Sequence, residues 1–357
     1  MSNRVHSFLE LMVQQGGSDL HLVSGMPPCI RMNGVLHRVR FRDLSVEDVE
    51  QILAEFMTDP QRSDLAQRLS VDFGYEDAEL GRFRVNAYRH VRGTAAAFRF
   101  VPPSPGSIEA LGLPHAVRIH TLQPKGLTLV TGPTGSGKST TLAAMVDLVN
   151  QTRRGHIITI EDPIEFVHEH KACVVTQREI GIHAPSFSEA LRHALREDPD
   201  VILIGELRDM ETIALALTAA ETGIQVFGTL HTSGATRTVD RIVNVFPARR
   251  QEQIRSMLAD SLRLIVSQQH VRKTDGSGRV LVAEVLVNTH AASSMIRTGN
   301  AHKLESVIQS GAASGMQSLD ATLKDLVRRQ VIPADEAYAH ALDKASFERL
   351  IVAREAA

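Results

Sequence analysis

One stretch, Gly132-Pro-Thr-Gly-Ser-Gly-Lys138-Ser139, constrains this chain more than any other, because it matches G-x-x-x-x-G-K-[ST] in the setting that pattern requires. An apolar run at 127–131 precedes it and reads as a strand; residues 140–149 follow it and read as a helix. Glycines let the backbone curl with successive N–H groups pointing inward, and a helix N-terminus adds its dipole, so such a loop is an anion nest. Gly132, Pro133, Thr134, Gly135, Ser136, Gly137, Lys138, Ser139 and Thr140 form the expected phosphate cradle. In that cradle Lys138 reaches the β- and γ-phosphates of ATP, and the Ser139 hydroxyl ligates Mg²⁺.

A nucleotide loop of this kind sits at the edge of a buried parallel sheet, and the rest of the C-terminal sequence supplies one. Apolar runs at 157–160, 201–204 and 226–230 alternate with helical segments, as strands buried on both faces do. One helix is announced by Ser186-Phe-Ser-Glu189, a candidate capping box, with Phe187, Ala190, Leu191, Ala194 and Leu195 on one face. Ligands in such folds lie beyond the carboxyl ends of the strands. At one end stands Gly205-Glu206, and Glu206 is the candidate for organising Mg²⁺ through water, since that ion keeps several waters. At another stands Thr159-Ile-Glu-Asp-Pro-Ile-Glu165, where Glu165 is the candidate base orienting water at the γ-phosphate, supported by Glu161 or Asp162. At a third stands Gly228-Thr-Leu-His231-Thr232, which places His231 to read the γ-phosphate or to link it to a neighbouring subunit. His168 and His170 read as surface or packing residues, and no His/Cys/Asp cluster has zinc-ligand spacing.

Val101-Pro-Pro-Ser-Pro-Gly-Ser107 cannot continue a helix or a central strand and reads as a stiff linker. It divides an N-terminal α+β domain, 1–100, from an α/β domain, 108–357. In the first, Val5, Phe8, Leu9, Leu11, Met12 and Val13 have helical spacing up to Gly16-Gly17. Residues 18–23 and 30–35 read as short strands, and 46–56 as a helix capped by Ser45 with Asp48 at its third position. Residues 82–88 and 94–100 alternate like a hairpin about Arg92-Gly93. From residue 250 the chain reads as mostly helical, with Leu319, Leu323, Leu326 and Val327 as an apolar core stripe.

Composition narrows the function classes. Lys and Arg number 39 against 41 Asp and Glu, a net charge of −2, which argues against a protein that coats nucleic acid; 4% aromatic residues disfavour a base-stacking track. Two cysteines, Cys29 and Cys173, cannot build a disulfide framework or a four-cysteine zinc site. The opening Met1-Ser-Asn-Arg-Val-His6 lacks the apolar segment of a secretion signal, and no apolar run reaches the roughly 20 residues that span a bilayer. A cytoplasmic chain is the expectation.

Four boxes in order, 132–142, 159–165, 194–200 and 228–232, together resemble the type II/IV secretion and pilus ATPases. Gly17-Ser-Asp-Leu-His-Leu22, Arg82-Phe-Arg-Val-Asn86 and Leu217-Thr-Ala-Ala-Glu-Thr-Gly223 are similar to the PilT-like retraction branch, across nearly the whole chain. The resemblance implies a RecA-like P-loop ATPase domain beside a smaller PAS-like α+β domain, moving against each other about the linker in a homo-hexameric ring. It implies a motor for type IV pilus retraction and twitching motility. Its partners would be an inner-membrane pilus platform protein and other pilus motor ATPases, with no direct nucleic acid and membrane reached only through a partner. It maps the catalytic base onto Glu165, the Walker-B acid onto Glu206 and the His box onto His231. Arg84 and Arg99 match two arginines that approach the nucleotide; the alternative is that both pair with local acids on their hairpin. Assembly motors carry a further N-terminal domain and a tetracysteine motif; neither is expected here, which favours retraction over extension. Against the retraction branch, its Ala-Ile-Arg-Asn-Leu-Ile-Arg-Glu-like motif is here Ala291-Ala-Ser-Ser-Met-Ile-Arg-Thr298, with only Ala291, Ile296 and Arg297 matching. An accessory retraction motor, a pilus-assembly or type II secretion motor, a nucleic-acid motor and a nucleotide-gated binding module without turnover remain the alternatives.

Overall fold

The computed structural model describes residues 4–32 and 34–348; Met1 to Asn3, part of the opening read above as carrying no secretion signal, and Asn33 lie outside them. It contains two compact units, Met1–Ser104 with Pro163–Val167, and Pro105–Asp162 with His168–Ala357.

The first unit contains α1 (Arg4–Gln14), β1 (Asp19–Val23), β2 (Cys29–Met32), β3 (Val35–Arg38), α2 (Val46–Ala54), α3 (Asp59–Arg68), β4 (Ser70–Asp77), β5 (Gly81–His90) and β6 (Gly93–Val101). Its strands form one antiparallel sheet in the order β3-β2-β1-β6-β5-β4. The apolar stripe of α1 (Val5, Leu9, Met12) and that of α2 (Val49, Ile52, Leu53) share a core with Phe73, Phe83, Val85 and Phe98 from the sheet. The cap read from sequence is present: Ser45 Oγ accepts from Asp48 N–H while Asp48 accepts from Ser45 N–H. The stretch 30–35 is not one strand. It divides between β2 and β3, and Gly34, at φ +85°, takes a conformation that suits glycine. The helix α3 and the strand β4 are additions to the sequence reading; Asp59–Arg68 has only Leu65 buried and so lacks an apolar period.

The second unit holds α4 (His115–Thr121), β7 (Gly126–Thr131), α5 (Lys138–Thr152), β8 (His156–Glu161), β9 (Val174–Glu179), α6 (Phe187–Ala194), β10 (Val201–Ile204), α7 (Met210–Glu221), β11 (Gln225–Leu230), α8 (Ala235–Asn244), α9 (Ala248–Ser261), β12 (Leu262–Arg272), β13 (Arg279–Val287), α10 (His290–Arg297), α11 (Leu304–Ser310), α12 (Leu319–Arg328) and α13 (Ala334–His340). The sheet order is β13-β12-β7-β11-β10-β8-β9, parallel throughout except for the β12–β13 pair. Every residue of β7, β10 and β11 is buried, as continuous apolar runs covered on both faces require. Ser186 Oγ accepts from Glu189 N–H at the start of α6.

The mostly helical reading after residue 250 holds for α9 to α13 but is incomplete. Two of the longest strands, β12 and β13, form a hairpin there, and β12 lies beside β7. The physical reason is legible in retrospect: Leu264, Ile265 and Val266 and Val280–Val287 are rich in β-branched residues, with Asp275-Gly276-Ser277-Gly278 between them as turn chemistry. The stripe Leu319, Leu323 and Leu326 is core, packed with Val271, Val282, Ile332 and Phe347. Among the described residues no helix is long and apolar enough to cross a membrane. Both cysteines are free and buried, and burial pushes both thiols up.

Candidate functional site

The strand β7 ends at Thr131, and the chain turns through Gly132 to Gly137 before α5 begins at Lys138. Three glycines make that turn feasible, at φ +142° for Gly132, +78° for Gly135 and +84° for Gly137. Lys138 reaches back across its own loop, Nζ donating to Gly132 O at 2.9 Å and Pro133 O at 3.0 Å. Ser139 is exposed at the first turn of α5, and Ser136 is buried with its Oγ unpartnered.

Strand order brings two more expected residues to Lys138. β11 lies beside β7 and β10 beside β11, in parallel register, so residues just past their carboxyl ends share one edge. His231 follows β11 and Glu206 follows β10. The imidazole of His231 stands between Lys138 Nζ (3.5 Å from Nδ1) and Glu206 Oε1 (3.4 Å from Nε2). A neutral ring with its proton on Nε2 satisfies both neighbours, accepting from the ammonium and donating to the carboxylate. Glu206 is also held by Arg208, Nε to Oε2 at 2.6 Å, and Arg208 lies 3.9 Å from Asp162 Oδ2. The Glu206 turn is tight. Gly205 N–H donates to Ile160 O, Thr229 Oγ1 to Gly205 O and Leu207 N–H to Thr229 O. Glu161 accepts from Thr159 Oγ1 at 2.7 Å and from Gln177 Nε2 at 3.3 Å.

Glu165 lies in the stretch that packs with the first unit. There its Oε1 is 3.3 Å from Arg84 Nη1, while Arg84 Nε is 3.7 Å from Asp72. Arg82 Nε donates to Ile164 O. Arg99 faces Arg84 across the β5–β6 ladder and pairs with the largely buried Asp19, Nε to Oδ1 at 2.9 Å. Both arginines thus carry local carboxylate partners in this structure. His168 is half-buried, and that desolvation pulls its pKa down; His170 is exposed, with Nδ1 accepting from Val175 N–H, so both are surface or packing residues as expected.

Sequence reasoning missed four side chains that shape the site. Gln268 and His270, on β12, touch the glycine loop from the side of that strand. Ser267 and Glu284, opposite each other on β12 and β13, accept from the N–H groups of Gly234 (2.8 Å) and Ala235 (2.7 Å). They anchor the turn that carries His231. Burial pushes the Glu284 carboxyl up, the Ala235 N–H opposes this, and Glu305 and Asp320 add to the rise. The signal was present as polar residues interrupting an apolar strand, but it counts only once that segment is known to be a strand.

These residues suit a nucleotide with its metal. The loop passes so close to β12 that position 132 has no room for a side chain: a Cβ built on Gly132 would lie 2.1 Å from Gln268 O. Among the described residues no group of three His, Cys, Asp or Glu is placed to hold a metal alone. The hard oxygen donors near the loop, the Ser139 hydroxyl and Glu206 carboxylate, match an Mg²⁺ that arrives on phosphates and keeps water ligands.

A family model described as type II/IV secretion system protein matches residues 2–332. The chain belongs to that family. It is 49% identical over 333 residues to the type IV pilus retraction ATPase PilT of Pseudomonas aeruginosa, covering 93% of this chain and 96% of that protein. It is 51% identical over 310 residues to a twitching motility protein of Neisseria gonorrhoeae, covering 87% and 83% of the two chains. A crystal structure of the pilus retraction motor PilT with bound ADP superposes with a TM-score of 0.87 at 42% identity, covering 96% and 98% of the two chains. The chain is a PilT-like ATPase with a RecA-like α/β domain and a smaller α+β domain, the fold class expected from sequence.

Proposed function

We propose that this ATPase binds ATP with Mg²⁺ and works as a homo-hexameric motor that retracts type IV pili, at the cytoplasmic face of the inner membrane, through a membrane platform partner. The observation that carries the reading is the convergence of Lys138, His231 and Glu206 at neighbouring strand ends beside the glycine loop. Phosphoryl transfer needs positioning and charge stabilisation more than covalent chemistry, and this set supplies both. The loop amides and Lys138 hold the phosphates. His231 reads the γ-phosphate side while tied to Glu206, so occupancy there alters a contact just past the end of β10. Bound Mg²⁺ would neutralise charge on the β- and γ-oxygens, held by Ser139 and, through water, by Glu206. In the same reading Glu165 orients the attacking water, Arg84 and Arg99 supply cationic charge worth about 10³–10⁵ in rate, and residues 101–107 act as the hinge.

The test has two arms. Purified Glu206→Gln protein should bind ATP yet hydrolyse it at least about 100-fold more slowly, the scale of losing one preorganised charge. Cells lacking the gene should carry excess, non-retracting surface pili. Loss of pili would instead mark an assembly motor, and ATPase activity stimulated by DNA would overturn the pilus reading.

A further inference from the structure

The strand β12 carries a polar side chain where a buried strand has little use for one. Gln268 is 2% exposed, and both ends of its amide are engaged. Its Nε2 donates to Ser136 O at 2.7 Å, and its Oε1 accepts from Thr141 Oγ1 at 2.9 Å. One side chain therefore ties the far limb of the glycine loop to the first turn of α5. The backbone joins in. Ser267 pairs with Thr131 in the parallel ladder, so Gln268 stands beside Gly132, close enough for Gln268 O to forbid a Cβ there. Two positions on, His270 Nδ1 lies 3.2 Å from Gly135 O.

The chemical consequence follows from the planar trans peptide. In the Ser136–Gly137 unit the carbonyl and the N–H point in opposite directions. Pinning Ser136 O toward β12 turns Gly137 N–H away from β12, the direction an inward-facing donor of an anion nest requires.

We propose that Gln268 is a positioning residue for the nucleotide: by holding the Ser136 carbonyl and the Thr141 hydroxyl, it presets the loop amides that meet the β- and γ-phosphates. This rests on the reading of the loop as an ATP site. An unanchored loop retains every phosphate-binding group and loses their alignment, so the loss falls on affinity first.

The experiment uses the full-length protein, with ADP and ATP as probes, three single variants, the Gln268→Met/Thr141→Val double variant, and Lys138→Ala as a control. Gln268→Met keeps the volume and removes both hydrogen bonds. Gln268→Glu keeps the acceptor for Thr141 and removes the donor to Ser136. Thr141→Val removes the second bond alone. Calorimetric Kd for ADP, KM and kcat for ATP, and a thermal midpoint are measured for each. Gln268→Met and Gln268→Glu are expected to raise Kd and KM about tenfold, equivalent to ~1.4 kcal/mol, with kcat falling less than threefold. Thr141→Val should shift both the same way by a smaller factor, and adding it to Gln268→Met should cost nothing more. Midpoints lowered with Kd and KM within twofold of the parent would show a purely structural glutamine and overturn the proposal. So would Gln268→Glu behaving as the parent. If Gln268→Met does not fold, the other two variants decide. A parent protein that binds neither nucleotide, matched by Lys138→Ala, would overturn the ATP reading itself. A binding parent with equally binding variants overturns only the role of Gln268.

Discussion

Two glycines of the phosphate loop have the same sequence appearance and very different tolerance. Gly132 sits at φ +142°, and a Cβ there would lie 2.1 Å from Gln268 O and 2.8 Å from Ser136 Oγ. The Ser136 hydroxyl can rotate away; Gln268 O is backbone in the hairpin strand β12 and has to move by roughly 1 Å to restore an ordinary contact. Gly135 sits at φ +78° with nothing within 4 Å of its Cβ position. Gly135→Ala therefore carries only left-handed strain, about 1–2 kcal/mol. Gly132→Ala carries about 1–3 kcal/mol of backbone strain and, in addition, displaces the loop. A displacement near 1 Å in a positioned site lowers rate about 100-fold. Steady-state ATP hydrolysis with a parallel thermal melt separates the two. The expected order is a loss of about 100-fold or more in kcat/KM for Gly132→Ala and within about tenfold for Gly135→Ala. Equal losses, or a greater loss at Gly135, would refute the argument that close approach of β12 is what demands glycine at position 132.

Other consequences follow from the same geometry. Glu165→Gln should abolish hydrolysis by about 100-fold or more while leaving ATP affinity nearly unchanged; unchanged turnover would remove Glu165 as the base. Glu284 has a folded-state pKa above its unfolded value through burial, with Glu305 and Asp320 reinforcing it. Its contribution is therefore full below the unfolded value and is lost as pH rises through the folded one. Glu284→Gln, which keeps an acceptor for Ala235 N–H, should raise the thermal midpoint at pH 8 more than at pH 4.5; a difference independent of pH would contradict this. Leu323, fully buried with Val271, Val282 and Phe347, should cost about 2–5 kcal/mol on truncation to Ala, read by denaturant unfolding, and a loss below about 1 kcal/mol would mean the cluster repacks. In the native protein Cys29 and Cys173 should resist a thiol reagent that labels both quickly in urea, since burial disfavours both thiolates.

How much of this was legible depended on the range of the forces involved. Gly132 to Ser139 announced a strand-loop-helix phosphate cradle because its chemistry is local: glycine torsions, a helix N-terminus and one lysine lie within a few residues. The buried strands β7, β8, β10 and β11 were readable because an apolar run covered on both faces needs no knowledge of what covers it. The Ser45 and Ser186 caps were readable for the same local reason. By contrast, α3 hides because a helix with one buried residue leaves no period. The hairpin β12–β13 does not stand out from the helices around it, because short apolar runs do not distinguish strand from helix until a neighbour is known. The pairing of Arg84 with Glu165, 81 positions apart, is a tertiary fact.

The sequence by itself determined that this chain has a phosphate loop, a parallel sheet and acids and a histidine at strand ends. Only the tertiary structure decided which strand lies beside which, and hence that His231 stands between Lys138 and Glu206 and that Gln268 holds the loop from β12. Strand order comes from backbone hydrogen bonding and the burial of whole faces, which are properties of the assembled sheet and leave no mark on any single segment.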